Sequence, residues 1–109
     1  MTQPAREHNI PLRIPATHPT LAGHFPGRPV VPGVVLVQEA IRAAEAWLGR
    51  PLSIRTIPQI KFSTPLLPEQ DCLLELALVP GENRLRFTIR RDDDLIVQGT
   101  LVATNGGRD

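Results

Sequence analysis

From Val34 to Leu48 the chain runs fifteen residues with neither proline nor glycine, in a molecule that places twelve prolines and eight glycines elsewhere. The stretch is rich in Ala, Leu, Glu and Arg, and it predicts a helix roughly 22 Å long. Gly49, followed by Pro51, is the expected stop: a glycine just past the last turn with proline beyond it. Gln38, Arg42 and Glu45 fall on one stripe of this helix, and Glu39 lies about 100° round from Gln38. The rest, including the consecutive Val34, Val35, Leu36 and Val37, is apolar on nearly every side. A helix of that kind is buried rather than laid on a surface. Whatever this chain folds into must therefore cover one central helix.

The cover has to come from strands. Ile10 to Ile14 is a short apolar and basic stretch whose Pro11 and Pro15 place it at a sheet edge. Residues 15–33 read as a loop rich in Pro, Gly and His. After the helix come strand-like segments at about 53–62, 72–79, 84–91 and 95–103. In the third of these, Leu85, Phe87 and Ile89 alternate with Arg84, Arg86, Thr88 and Arg90, which gives one apolar and one polar face. Pro80-Gly81-Glu82-Asn83 and Arg91-Asp92-Asp93-Asp94 read as hairpin turns. The order is a short strand, a long loop, the helix over about 34–48, then an antiparallel meander. It predicts an α+β fold in which a curved antiparallel sheet wraps one central helix. A sheet this small covers only one side of the helix, so the remaining cover is expected from a second subunit.

Composition narrows the function. A length of 109 residues suits a single domain over 1–109, with fraying expected over residues 1–9 and 105–109. Leu, Ile, Val and Phe total 33, enough for one small core. The formal charge of +1 and the absence of Tyr argue against a nucleic-acid surface. No apolar run is long enough for a membrane span, and Met1 to Asn9 has no secretory pattern. Cys72 stands alone and has no intrachain disulfide partner, so a reducing cytoplasm is the expected compartment. His8 and His18 have no partners at ligand spacing; no metal site and no cofactor are expected. Ser53 and Ser63 lack the surroundings of a nucleophilic serine.

The informative stretch is Gly23-His24-Phe25-Pro26-Gly27-Arg28-Pro29-Val30-Val31-Pro32-Gly33, which runs straight into the helix. Its prolines restrict φ and its glycines permit turns closed to other residues. No Ser, Thr, Asp or Asn caps the helix start, so its free N–H groups are available to an oxygen-bearing ligand. A neutral imidazole is the usual base near pH 7. A base beside oxyanion donors is the pair needed to remove a proton alpha to a carbonyl. Taken alone, His24 is also compatible with a solvated loop histidine, and Gly33 with a passable N-cap. Arg42, one turn after Gln38, is placed either to contact substrate or carrier, or to pair with Glu39 or Glu45 three residues away.

Gly23 to Gly33 resembles the GHFPGxPVxPGV motif of the hot-dog fold 3-hydroxyacyl-(acyl carrier protein) dehydratases of the FabZ/FabA type. Ile60-Lys61-Phe62-Ser63-Thr64-Pro65-Leu66-Leu67-Pro68 and Val97 to Ala103 are similar to two later stretches of that family. The resemblance covers roughly residues 10 to 103, and it implies a hot-dog fold. Short members of this kind are similar to the dehydratase-like proteins of aryl polyene and related pathways. Carried over by position, the resemblance implies that His24 takes the alpha proton of a 3-hydroxyacyl thioester and that the Gly33 N–H polarises its carbonyl. Phe25, Pro26 and Val34 then line the substrate site. The thioester would be carried by acyl carrier protein or coenzyme A, and the protein would be a homodimer, a larger homo-oligomer, or a heteromer with a related dehydratase. The family's acid, fourteen residues after the histidine and contributed by the opposite subunit's helix, is here Gln38. An amide is not an equivalent proton donor, which leaves Glu39 as the alternative acid. The other expectations are a non-catalytic hot-dog subunit that binds acyl carriers or pairs with an active homologue, and a thioesterase. Glu69 stands where the family usually has glycine.

Overall fold

The computed structural model describes residues 6–17, 30–79 and 83–104. Five strands and one helix follow one another as β1 (Arg6–Leu12), α1 (Gly33–Leu48), β2 (Ile54–Phe62), β3 (Cys72–Leu78), β4 (Arg84–Arg91) and β5 (Asp94–Ala103). The strands form one sheet in the order β1-β3-β4-β5-β2, with every neighbouring pair antiparallel. The expected α+β architecture is the one observed.

Alternation along β4 buries Leu85, Phe87 and Ile89, and the register puts them level with Leu101, Gly99 and Val97 of β5. A register shift after Ile89 admits one extra residue, which is how the consecutive Ile96 and Val97 both reach the core. From α1 the core takes Val35, Leu36, Ala40 and Ala44. The two alanines let the helix come close to β3, whose Leu74 and Leu76 lie in the same core. Ile14, Val31 and Leu66 complete the core from the connections. Each of the large side chains contributes roughly 1.5–3 kcal/mol by leaving water. No polar side chain is buried among the described residues. Cys72 donates its thiol to the Leu12 carbonyl at 3.2 Å, and burial beside Asp71 raises its pKa from 9.0 to about 11.

Two expectations change. The first strand begins at Arg6 and ends at Leu12, so residues 6–9 belong to the sheet and not to a frayed end; residues 1–5 and 105–109 lie outside the described residues. Backbone pairing of Arg6–Asn9 with Glu75–Leu78 does not depend on side-chain polarity. β1 is an edge strand, as Pro11 requires. The meander is confined to β3, β4 and β5, because β2 pairs with β5 and not with β3. Residues 63–71 are long enough to carry the chain from one edge of the sheet towards the other, touching Ile96, Val31 and Ile14 on the way. As expected for so small a sheet, α1 is not covered on all sides in one chain. Val34, Gln38, Arg42 and Ala46, spaced four apart, form a continuous exposed stripe.

Candidate active site

The start of α1 is built by Pro32, whose φ of −61° and ψ of 144° are extended and whose side chain offers no capping bond. The helix opens at Gly33, one residue earlier than its apolar pattern predicts. The Val35 N–H reaches the Pro32 carbonyl at 3.0 Å. The N–H groups of Gly33 and Val34 have no intrahelical acceptor, since they precede the first turn's carbonyls. No acidic residue occupies the first turn, so the partial positive charge of the helix end stays uncompensated within the helix.

Gly33 also meets a close neighbour. A Cβ there would lie 2.6 Å from Cζ and 2.7 Å from Cε1 of Phe62, the last residue of β2. Only a glycine lets the ring tip rest on the helix start in this way. Around this contact lies an open, mainly apolar groove of about 360 Å³, lined by Val30, Val31, Gly33, Leu36, Phe62 and residues 63–66. Its wall is tied in place by the Val31 N–H, which donates to the Leu66 carbonyl at 2.8 Å. Backbone donors at one end and apolar walls along the rest suit a ligand with a carbonyl and a hydrocarbon chain. A second concavity, about 320 Å³, lies on the outer face of the sheet between Arg84, Arg86, Gln59 and Gln98. It is polar and has no helix terminus, so the chemistry read from the sequence does not belong there.

The other expected site residues distribute as follows. His24, Phe25 and Pro26 lie outside the described residues. Val34 is 57% exposed at the helix start. Gln38 is exposed and lies about 140° round the helix from Gly33, so one chain does not bring it to its own groove. Glu39 and Arg42 are engaged with each other: the guanidinium Nη1 sits 3.5 Å from the carboxylate Oε2. Glu45 instead accepts the Leu52 N–H at 2.8 Å. Sequence reasoning did not place Phe62 in the site, although it lies in the stretch from Ile60 to Pro68 that is similar to the family's. Its signal is the pairing of an aromatic strand end with a glycine at a helix start, and only tertiary contact joins the two. Among the described residues no group of three or more His, Cys, Asp and Glu side chains is arranged to hold a metal ion. No described helix is long and apolar enough to cross a membrane.

Comparisons with known proteins identify the family and the fold. Residues 1–100 match the ApeI-like family, described as ApeI dehydratase. A curated relative, the 3-hydroxyacyl-[acyl-carrier-protein] dehydratase FabZ of Herpetosiphon aurantiacus, is 30% identical over 96 residues. That match covers 81% of this chain and 65% of the relative, so the chain spans only about two thirds of the relative's length. Among solved structures, the dehydratase heterocomplex ApeI:P from Xenorhabdus doucetiae superposes with a TM-score of 0.83 at 28% identity, covering 91% of this chain and 88% of that one. An (R)-hydratase from A. caviae shares the fold at a TM-score of 0.69 and 16% identity, covering 94% and 96%. With a hot-dog fold, a groove at an uncapped helix start and a family match over nearly its whole length, the chain belongs to the ApeI-like dehydratase family.

Proposed function

We propose that this protein dehydrates 3-hydroxyacyl thioesters, carried by acyl carrier protein or coenzyme A, to trans-2-enoyl thioesters in fatty-acid or polyene-type biosynthesis. The observation that supports this reading best is the mainly apolar groove lined by Gly33 at the helix start, whose N–H has no acceptor within the helix. The thioester carbonyl accepts from the Gly33 N–H, which stabilises negative charge as the alpha carbon loses its proton. His24 takes that proton, the C3–O bond breaks, and the hydroxyl leaves as water. Gln38 of a second subunit orients the hydroxyl but gives it no proton, so the imidazolium formed in the first step is the remaining donor among these residues. The site is thus shared between two subunits, and the exposed stripe from Val34 to Ala46 supports that reading.

A second reading is favoured by Gln38 and by the heteromeric nature of the Xenorhabdus structure: a hot-dog subunit without turnover of its own that pairs with an active homologue. Incubating the purified protein with a 3-hydroxyacyl thioester separates the two. Ultraviolet absorbance of the conjugated enoyl thioester is expected to rise, and mass spectrometry is expected to show no free acid. A flat trace that rises only when an active homologue is added supports the second reading. Free acid without enoyl product turns the assignment to a thioesterase.

A further inference from the structure

Glu69 adopts a left-handed backbone, with φ of 68°. Glycine takes this conformation freely, whereas a residue with a Cβ crowds its own carbonyl. A glutamate retained there needs a compensating role. Its bonds supply one, and all of them run to a single stretch of chain. The Glu69 N–H donates to the Ile14 carbonyl at 2.8 Å. Its Oε2 accepts the Ala16 N–H at 2.9 Å, and its Oε1 lies 3.2 Å from Nε of Arg13. Asp71 adds a second carboxylate 3.8 Å from the same Arg13 nitrogen. Glycine in the same conformation would keep only the first of these bonds.

The stretch so held, Arg13 to Ala16, leads in sequence into the residues that carry His24. The other flank of those residues is held by the same connection, through the Val31 N–H on the Leu66 carbonyl. Within the connection, Gln70 accepts the Leu67 N–H at 3.0 Å, which stiffens it. Residues 63–71 therefore grip the chain on both sides of His24: once through buried backbone at Leu66, and once through an exposed side chain at Glu69. We propose that Glu69 is a positioning residue for the dehydration: its carboxylate fixes where the His24-bearing stretch leaves the sheet. The proposal rests on the dehydratase reading given above.

Glu69→Gly removes the backbone penalty together with both side-chain bonds. Glu69→Gln keeps an acceptor for the Ala16 N–H and gives up the charge pair. In Glu69→Gly the thermal midpoint is expected to stay level or rise. The Ala16 amide is expected to exchange at least about tenfold faster, because an exposed hydrogen bond no longer protects it. Dehydration should lose about tenfold in kcat with KM within about twofold, as expected when a reacting group is displaced by less than an ångström. Glu69→Gln should restore most of both. Unchanged Ala16 exchange and kcat in Glu69→Gly, or a kcat loss that only tracks a fall in thermal midpoint, would overturn the proposal. A wild-type protein without turnover defeats the dehydratase reading separately. The His24 imidazole resonances then decide: they shift in Glu69→Gly if the clasp positions that side chain, and an unmoved resonance refutes it.

Discussion

Two glycines bracket α1, and they are glycine for opposite reasons. Gly49 has φ of 73° and empty space where a Cβ would stand. Its N–H donates to the Glu45 carbonyl at 2.8 Å and closes the helix. The requirement there is conformational. Gly33 has an ordinary φ, and the ring tip of Phe62 fills the place of its Cβ. The requirement there is space. The surroundings differ in the same sense. At the closed end Trp47 stacks on His8, with centroids 5.3 Å apart and planes 9° from parallel, and the Arg6 guanidinium lies 5.4 Å from the indole. At the open end Val34 and Phe62 stay largely exposed beside a groove, and no side chain caps the helix. One end of the helix is organised for stability. The other leaves the helix start uncapped and apolar surface exposed in one chain.

Substitutions at both ends test that contrast. The largest effect is expected from His24→Ala, which removes the proposed base. Dehydration should fall by about 10²–10⁴-fold while the circular dichroism spectrum and thermal midpoint stay put. A variant that keeps most of its activity would make His24 structural. Next is Trp47→Ala at the closed end. Because the indole is only partly buried, unfolding free energy should drop by roughly 2–3 kcal/mol, below the range for a fully buried tryptophan. Denaturant melts measure this. Trp47 lies about 21 Å along the helix from Gly33, so kcat measured well below the melting range should change by less than twofold. A large loss of turnover without loss of stability would mean that the two ends are coupled.

Gln38→Glu tests the proposed placement of this position in the groove of a second subunit. It should raise dehydration by about tenfold or more, a conservative share of what a positioned general acid supplies. The pH profile should change with it. A base that must be neutral gives a rate that rises with pH and then levels off. An added carboxyl that must be protonated introduces a descending limb at higher pH, so the profile becomes a bell. If the native protein already shows a bell that Glu39→Gln abolishes, the acid is Glu39, freed from its pairing with Arg42.

The smallest effects come from making one change at both glycines. Gly49→Ala should cost about 1 kcal/mol, the strain of a left-handed alanine, and leave turnover alone. Gly33→Ala should leave stability within about 1 kcal/mol, since alanine favours the helix and the ring it meets is half exposed and can swing away. Its effect belongs in KM, because the displaced Phe62 ring lines the groove. Equal stability losses at the two positions would erase the distinction between the ends.

How far the sequence could be read follows the same division. The closed end was legible: Gly49 and Pro51 mark the stop because a left-handed cap and a helix-breaking proline are local chemistry. The strand period of Leu85, Phe87 and Ile89 was legible for a similar reason, since alternation needs no knowledge of the neighbouring strand. At the open end, the absence of a cap before Gly33 could be read, but the ring of Phe62, 29 residues away in sequence, could not. Nor could the bonds of Glu69 to Arg13 and Ala16. Substituting glutamate for an expected glycine signals that something differs there, and only the fold shows which stretch it holds.

The sequence by itself determined the element types, the buried helix, the polar and apolar faces of the strands, and the family to which Gly23 to Gly33 points. All of these depend on periodicity or on turn residues acting within a few positions of one another. Tertiary structure decided that β2 pairs with β5, that residues 6–9 join the sheet, and that Phe62 rests on Gly33. It also turned Gln38 away from the groove of its own chain. Those outcomes depend on which backbone edges and which volumes meet across long separations. Many pairings of the same local elements satisfy the local rules, and packing selects among them.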